Sequence, residues 1–201
     1  MTPLSLHRQE QDPQLETIKW GLYNIAKTLK FINDEAALVH SLVRTSSVFV
    51  SESGEWKLGG FEMLSSTKDE HDNVIYSYSS LVPGYTQYMP PEVAKSSWDT
   101  YRSSSWTAVD AYGFGVLMSE SFNGTTMRQG QGSEVGRVPL NMQQMFKRLV
   151  NPNPKLRPAV GVFLEQGRKS GGYFQTPLIN FSENIDSLGL KSEGEREEFL
   201  G

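Results

Sequence analysis

His40-Ser41-Leu42-Val43-Arg44-Thr45-Ser46-Ser47-Val48-Phe49-Val50-Ser51-Glu52-Ser53-Gly54-Glu55-Trp56-Lys57-Leu58-Gly59-Gly60-Phe61-Glu62 is the stretch that decides the fold. Val48-Phe49-Val50 is a short apolar run. Ser51-Glu52-Ser53-Gly54 is a turn whose glycine is free to take positive φ. Trp56-Lys57-Leu58 resumes the extended chain, with Lys57 on the exposed strand face, and Gly59-Gly60 end it. The pattern predicts a β-hairpin. Upstream of it, Asp12-Pro13 offers an N-cap followed by proline at the first helical position. Leu15, Ile18, Leu22, Ile25, Leu29 and Ile32 then recur at three- and four-residue steps. That spacing predicts one core-facing helix over about residues 13–33.

In length and layout the 40–62 stretch resembles the catalytic and metal-binding loops of a protein kinase, H-R-D-L-x-x-x-N and D-F-G. His40 keeps the histidine and Phe61 the phenylalanine. The arginine becomes Ser41, the catalytic aspartate Leu42, the asparagine Ser47, the metal-binding aspartate Gly60 and the following glycine Glu62. Phosphoryl transfer needs a carboxylate to orient the attacking hydroxyl and hard oxygen ligands to hold Mg²⁺ on the phosphates. Leu42 has no acceptor atom, Gly60 has no side chain, and Ser47 offers one weak neutral oxygen. The expectation is a kinase-shaped chain without catalytic, metal-binding or cofactor-binding residues, hence no enzyme. On the same resemblance His40 packs against Phe61 as a structural pair. Arg44 falls where many kinases place a phosphate-contacting lysine and is a loop cation of no assigned use.

Residues 63–82 form a polar Ser/Tyr-rich stretch corresponding to the activation segment, expected to be a solvated loop. Gly84-Tyr85-Thr86-Gln87-Tyr88-Met89-Pro90-Pro91-Glu92 resembles the G-T-x-x-Y-x-A-P-E close of that segment, with Pro90 for alanine. Residues 106–124 resemble the D-x-W-S-x-G-V-x-x-x-E-x-x-x-G helix at the centre of a kinase C-lobe, with Tyr112 at the tryptophan position. This helix is apolar on most sides, which implies burial, and Gly124 is its stop. Asp110 near its start is expected to accept from catalytic-loop amides. Gly130–Gly136 is glycine-rich but follows a helix and lacks a Lys-Ser/Thr ending, so it is no nucleotide loop. Met142–Leu149 predicts a short helix with Met142, Met145, Phe146 and Leu149 inward. Asn151-Pro152-Asn153-Pro154-Lys155-Leu156-Arg157-Pro158 resembles the D-P-x-x-R-P turn, whose arginine pairs with the glutamate of A-P-E. The resemblance therefore implies a buried Glu92–Arg157 pair.

Composition narrows the classes. A chain of 201 residues is long enough for one domain with a real core. A formal charge of −4 and a pI near 5.5 give no electrostatic footprint for nucleic acid or an anionic membrane. There are no cysteines, which excludes disulfides and thiolate metal sites. No run of about 18 apolar residues occurs, so no membrane insertion is expected. The first residues lack the apolar core of a signal peptide. The expectation is a soluble, cytoplasmic protein.

Gly54-Glu-Trp-Lys-Leu-Gly-Gly-Phe-Glu62, Val82-Pro-Gly-Tyr-Thr-Gln-Tyr-Met-Pro-Pro-Glu92 and the tail over 173–200 point to one branch. The sequence is similar to the SCY-like, or N-terminal kinase-like, pseudokinases, including fungal cytoplasmic tRNA-export members. That resemblance implies a mainly α fold, a kinase-like C-lobe with a small β-hairpin at the degenerate loops. The sequence departs from the family plan in showing no G-x-G-x-x-G strand pair or V-A-I-K lysine ahead of the first helix, so the N-lobe is expected to be absent. Residues 1–11 read as a polar stub and Ser192 stands where a cap could open a new helix, and the resemblance implies the C-lobe over 12–170 and a linker with the start of a HEAT-type helical extension over 171–201. It also implies a scaffold in vesicle traffic or tRNA export. The partners would be proteins of the transport or coat machinery, with tRNA engaged only indirectly. The alternative is a weak or atypical kinase that uses Glu62 for the metal. That carboxylate lies two residues past the usual aspartate and is expected to start in a different direction.

Overall fold

Pro13–Lys30 is helix α1, and a π-turn over Phe31–Glu35 carries it two residues past the expected end. The apolar stripe sets the inner face: Leu22, Ile25 and Leu29 are fully buried and Ile32 nearly so. A π-turn admits one extra residue and re-aims the chain beyond it. Here it turns the Asn33 amide onto the Leu38 carbonyl, 3.0 Å away. This computed structural model describes residues 13–69, 73–125, 127 and 134–188. The Asp12 cap, the 1–11 stub, the Gly130–Ser133 part of the glycine-rich stretch and the Ser192 cap lie outside them.

The predicted hairpin is β2 (Val48–Val50) and β3 (Trp56–Leu58), antiparallel with Val48 opposite Leu58 and Val50 opposite Trp56. Gly54 closes the turn at φ +84°, a value that costs a residue with a Cβ. The Lys57 side chain is 60 % exposed. The hairpin docks on α1 through Trp56, whose indole lies on Gly21, where no side chain intervenes. A second, two-residue pairing joins β1 (Leu38–Val39) to β4 (Ser65–Ser66).

The described residues of 63–82 are more than a solvated loop. β4, a short helix α2 (Ile75–Tyr78) and a 3-10 turn over Ser79–Leu81 lie within them. Ile75, Asn73, Ser65 and Ser79 are buried. The polar side chains replace backbone partners: the Ser65 hydroxyl donates to the Met63 carbonyl and accepts from the Val74 amide. The Tyr76 ring meets Trp98 and Tyr101 edge-on at 4.9 and 5.6 Å, a favoured aromatic geometry. Both partners belong to α4 (Trp98–Arg102), which follows α3 (Pro91–Ala94).

Helix α5 (Ala108–Asn123) runs through the middle and is buried on most sides. Gly124 caps it at φ +71° by donating to the Glu120 carbonyl. One cluster packs α5 against α1, α6 (Leu140–Leu149) and α7 (Val160–Arg168), with Met142, Met145, Phe146 and Leu149 inward as the spacing predicts. A second cluster packs its other side against Leu42, Met63, Ile75, Tyr85 and Tyr101. Residues 40–47 cross α5 at Gly113, where an added Cβ would stand 2.8 Å from the Val43 carbonyl oxygen. That atom is backbone and cannot swing aside. Gly113→Ala is expected to cost about 1–3 kcal/mol of strain, seen as a melting temperature lower by roughly 2–10 °C. An unchanged melting curve would show that the loop can lift off α5.

Tyr173 and Phe174 close the core against Phe163, with ring centroids 4.7 and 5.6 Å away. The last described helix, α8 (Pro177–Leu188), lies against α1 with Ile179 buried. Glu16 of α1 accepts the Leu178 amide at its start, at 2.7 Å. Residues 173–188 are therefore packed into the same core as α1 and α7.

Candidate functional site

The site lies between the end of β1 and the end of β3. His40 follows β1 and is fully buried. Its Nε2 donates to the Gly59 carbonyl at 2.8 Å, and its Nδ1 accepts from the Leu42 amide at 3.2 Å. Two such bonds select one tautomer and fix the ring plane. The Phe61 ring stands edge-on to it, with centroids 5.3 Å apart, so the structure brings His40 and Phe61 together. Phe61 is itself half exposed on its outer side.

Asp110, from the first turn of α5, sits beneath this loop with no solvent access. Its Oδ2 accepts from the His40 amide and from Asn33 Nδ2, and its Oδ1 accepts from the Ser41 amide, all at 2.8 Å. Burial pushes its carboxyl up from the ordinary aspartate value, against the opposing pull of His40 and the three N–H donors. The bonds hold Ser41 at φ +64°, an uncommon conformation for a residue with a side chain. Asn33 carries no sequence signal: its use depends on the π-turn that aims it.

At the three positions that the sequence singles out, Leu42, Ser47 and Gly60, little open space remains. Leu42 is 2 % exposed, its side chain committed to the second core cluster. Ser47 is equally buried, and its hydroxyl donates to the Leu42 carbonyl at 2.7 Å, inside its own loop. Gly60 takes φ +71°. A Cβ placed there would stand 2.7 Å from Ser47 Oγ, so the space for an aspartate stem is partly filled. Glu62, two residues on, ends near the same gap. Its exposed side chain doubles back, and Oε2 lies 3.5 Å from the point where a Gly60 Cβ would begin. A Mg²⁺ ion takes near-octahedral oxygen coordination, with carboxylates supplying the protein's share. One exposed carboxylate beside a hydroxyl already bonded to a carbonyl does not fit that need. Among the described residues no group of three or more His, Cys, Asp and Glu side chains converges.

The flanking contacts keep the loop in place. Arg44 donates from Nη1 to the Pro83 carbonyl at 2.7 Å, tying residues 40–47 to the close of the 63–92 segment. Tyr88 donates to both oxygens of Glu120, at 2.9 and 3.0 Å, and Thr45 bonds the same carboxylate. Glu92 and Arg157 are brought together beside the first turn of α5. Nη1 reaches Oε1 at 2.6 Å and Nη2 reaches Oε2 at 2.8 Å. Arg157 also donates to the carbonyls of Ala108, Asn151 and Pro152 and lies 4.9 Å over the Tyr112 ring. Sequence reasoning does not single out Glu120 or this set of carbonyls.

The chain is similar to several known proteins. The family described as protein tyrosine and serine/threonine kinase matches residues 4–159. The "Probable inactive serine/threonine-protein kinase scy1" of Dictyostelium discoideum is 29 % identical over 185 residues, 91 % of this chain and 21 % of that protein. The mouse "Protein-associating with the carboxyl-terminal domain of ezrin" is 31 % identical over 180 residues, 90 % of this chain and 23 % of that protein. Human "SCY1-like protein 2" is 24 % identical over 168 residues, 70 % of this chain and 17 % of that protein. The chain thus spans about a quarter or less of the length of each of these relatives.

Proposed function

The chain belongs to the protein tyrosine and serine/threonine kinase family and to its SCY-like branch, and from that membership we propose that it is the C-lobe of a kinase-like domain that binds partners instead of transferring phosphate. The observation that carries this reading is the set of atoms at the gap: a buried aliphatic side chain at Leu42, a hydroxyl at Ser47 turned onto its own loop, and bare backbone at Gly60. The name of the Dictyostelium relative supports it. The name of the mouse relative states an association with ezrin, which supports a protein as partner here. The proposed setting is cytoplasmic transport, either vesicle traffic or tRNA export, with coat or transport proteins as partners and tRNA reached only through them. A net charge of −4 argues against direct contact with the phosphates of tRNA. No described helix is long and apolar enough to cross a membrane.

A second reading, a weak kinase that uses Glu62, is favoured by one observation: the carboxylate that turns back toward Gly60. A thermal-shift titration with ATP and Mg²⁺, run on the chain joined to an N-lobe, separates the two. A ligand at a hundred times its Kd adds about 2.7 kcal/mol, which is several degrees in a chain of this size. The scaffold reading expects no Mg²⁺-dependent rise. A rise that Glu62→Gln removes would overturn it in favour of the second reading.

A further inference from the structure

Helix α8 runs beside α1 in the same direction, because its contacts climb both helices together. Glu16 accepts the Leu178 amide, Tyr23 donates to Glu183, and Lys27 Nζ stands 4.0 Å from Asp186. At about 100° per residue, Glu16, Tyr23 and Lys27 fall on one line of α1, and Ile179, Glu183 and Asp186 on one line of α8. Helix α7 adds Arg168, whose Nη2 donates to Glu183 at 3.0 Å. Glu183 is thus the hub of the row, taking a phenol from one helix and a guanidinium from another. Lys27 and Arg168 also flank the Tyr23 ring, 4.7 and 6.0 Å from its centroid. Burial first, and then the Glu183 carboxylate, push the Tyr23 hydroxyl above the ordinary phenol value, which keeps it a donor.

The apolar side of this attachment is thin. Among the α8 side chains whose burial is described, Ile179 alone is buried. Holding a helix of twelve residues in one place has a large entropic cost. One isoleucine does not offset it, so the attachment depends on the polar row. Tyr173 and Phe174, just ahead of α8, are buried against Phe163 of α7 and stay held whether or not α8 is seated. Between them and the helix lie Gln175, exposed, and Thr176, half-buried. Backbone angles can change at these two positions without disturbing the core.

We propose that α8 is a charge-latched strap, closed by Glu183 on Tyr23 and Arg168, that swings off α1 and α7 as one unit about Gln175-Thr176 while the core stays folded. Opening bares Ile179 and the face of α1 that carries Glu16, Tyr23 and Lys27. Openings of this kind draw on the most weakly held element of a fold. Ionic strength sets how often this one occurs, since the screening length shrinks from about 10 Å at 0.1 M salt to about 3 Å at 1 M. The inference is independent of whether the degenerate site binds nucleotide.

Hydrogen exchange on the full chain, read by mass spectrometry, tests it by comparing peptides from α8 with peptides from α5. In the parent at about 0.1 M NaCl, α8 is expected to be protected yet to exchange roughly tenfold or more faster than α5. At about 1 M NaCl its exchange should quicken roughly threefold while α5 holds its rate. Glu183→Gln removes the charge and keeps the shape. It should quicken α8 about tenfold at low salt and lose most of the salt response. Asn184→Ala, on the exposed side of the helix, should leave both helices at parent rates. Exchange of α8 in step with α5 under every condition would overturn the proposal, because α8 would then open only by global unfolding. A parent-like α8 rate in Glu183→Gln would overturn it too, by showing that the carboxylate does not hold the strap. So would an α8 without protection in the parent, since a latch must first be closed.

Discussion

Arg157→Ala is expected to lower the melting temperature by roughly 6–20 °C, while Lys57→Ala moves it by less than about 1 °C. The difference follows from burial. The Glu92 and Arg157 side chains are 2 % and 0 % exposed and joined by two parallel hydrogen bonds. An intact buried pair contributes little net stability, because desolvating both charges offsets their attraction. Removing one partner leaves the other charged in a dry place, at about 3–5 kcal/mol, which for a chain this long gives the stated range. Arginine also serves three carbonyls here, so truncation strands acceptors at Ala108, Asn151 and Pro152 as well. Lys57 pairs with Glu55 at 2.8 Å in the open, and such pairs contribute at most about 1 kcal/mol. Arg157→Lys is expected to recover little, because an ammonium cannot present the planar fork that meets both Glu92 oxygens. Scanning calorimetry on the three variants decides the matter. Equal melting temperatures for Arg157→Ala and Lys57→Ala would show that the pair does not hold the fold.

Some of this arrangement is legible from residue order, and the reasons are physical. Period and punctuation carry over directly to structure. The stripe from Leu15 to Ile32 is α1, Gly54 makes the hairpin turn, and Gly124 ends α5 in the left-handed region where glycine costs least. The nature of a side chain is legible too, because a leucine carries no oxygen wherever it points. What order does not encode is the direction of a long side chain. Sequence position points Glu62 away from Gly60, yet it doubles back, since three rotatable bonds leave it free to do so. Composition misleads over 63–82. Serine and tyrosine suggest solvent, yet polar side chains can replace a backbone partner, and the segment uses the Ser65 hydroxyl and the Asn73 amide oxygen in that way while its aromatic rings pack. Asn33 is visible only through the π-turn, a local change of pitch that hydrophobic spacing does not report.

Asp110→Ala is the other substitution expected to be severe, because it removes the acceptor on which the shape of the 40–47 loop depends. Three donors lose their partner at once: the His40 and Ser41 amides and the Asn33 side chain. A buried donor left unsatisfied costs about 1–3 kcal/mol. With relaxation the sum is about 3–6 kcal/mol, again roughly 6–20 °C in melting temperature. The loop is affected beyond its energy, since Ser41 holds a positive φ that the Asp110 bond supports. Hydrogen exchange at the His40 and Ser41 amides should therefore quicken far more than at α6, which touches neither. A pH series adds a second, independent readout. Burial sets the folded carboxyl above its unfolded value, so the native state takes up a proton more readily than the unfolded chain. The stability from that proton is fully present below the ordinary aspartate pKa and is lost as pH rises through the raised one. The melting-temperature gap between parent and Asp110→Ala should accordingly be widest at the acid end and narrow as pH climbs through that window. A gap that widened instead would mean that the ionised carboxylate is the form the fold prefers, with the three N–H donors outweighing the cost of burial.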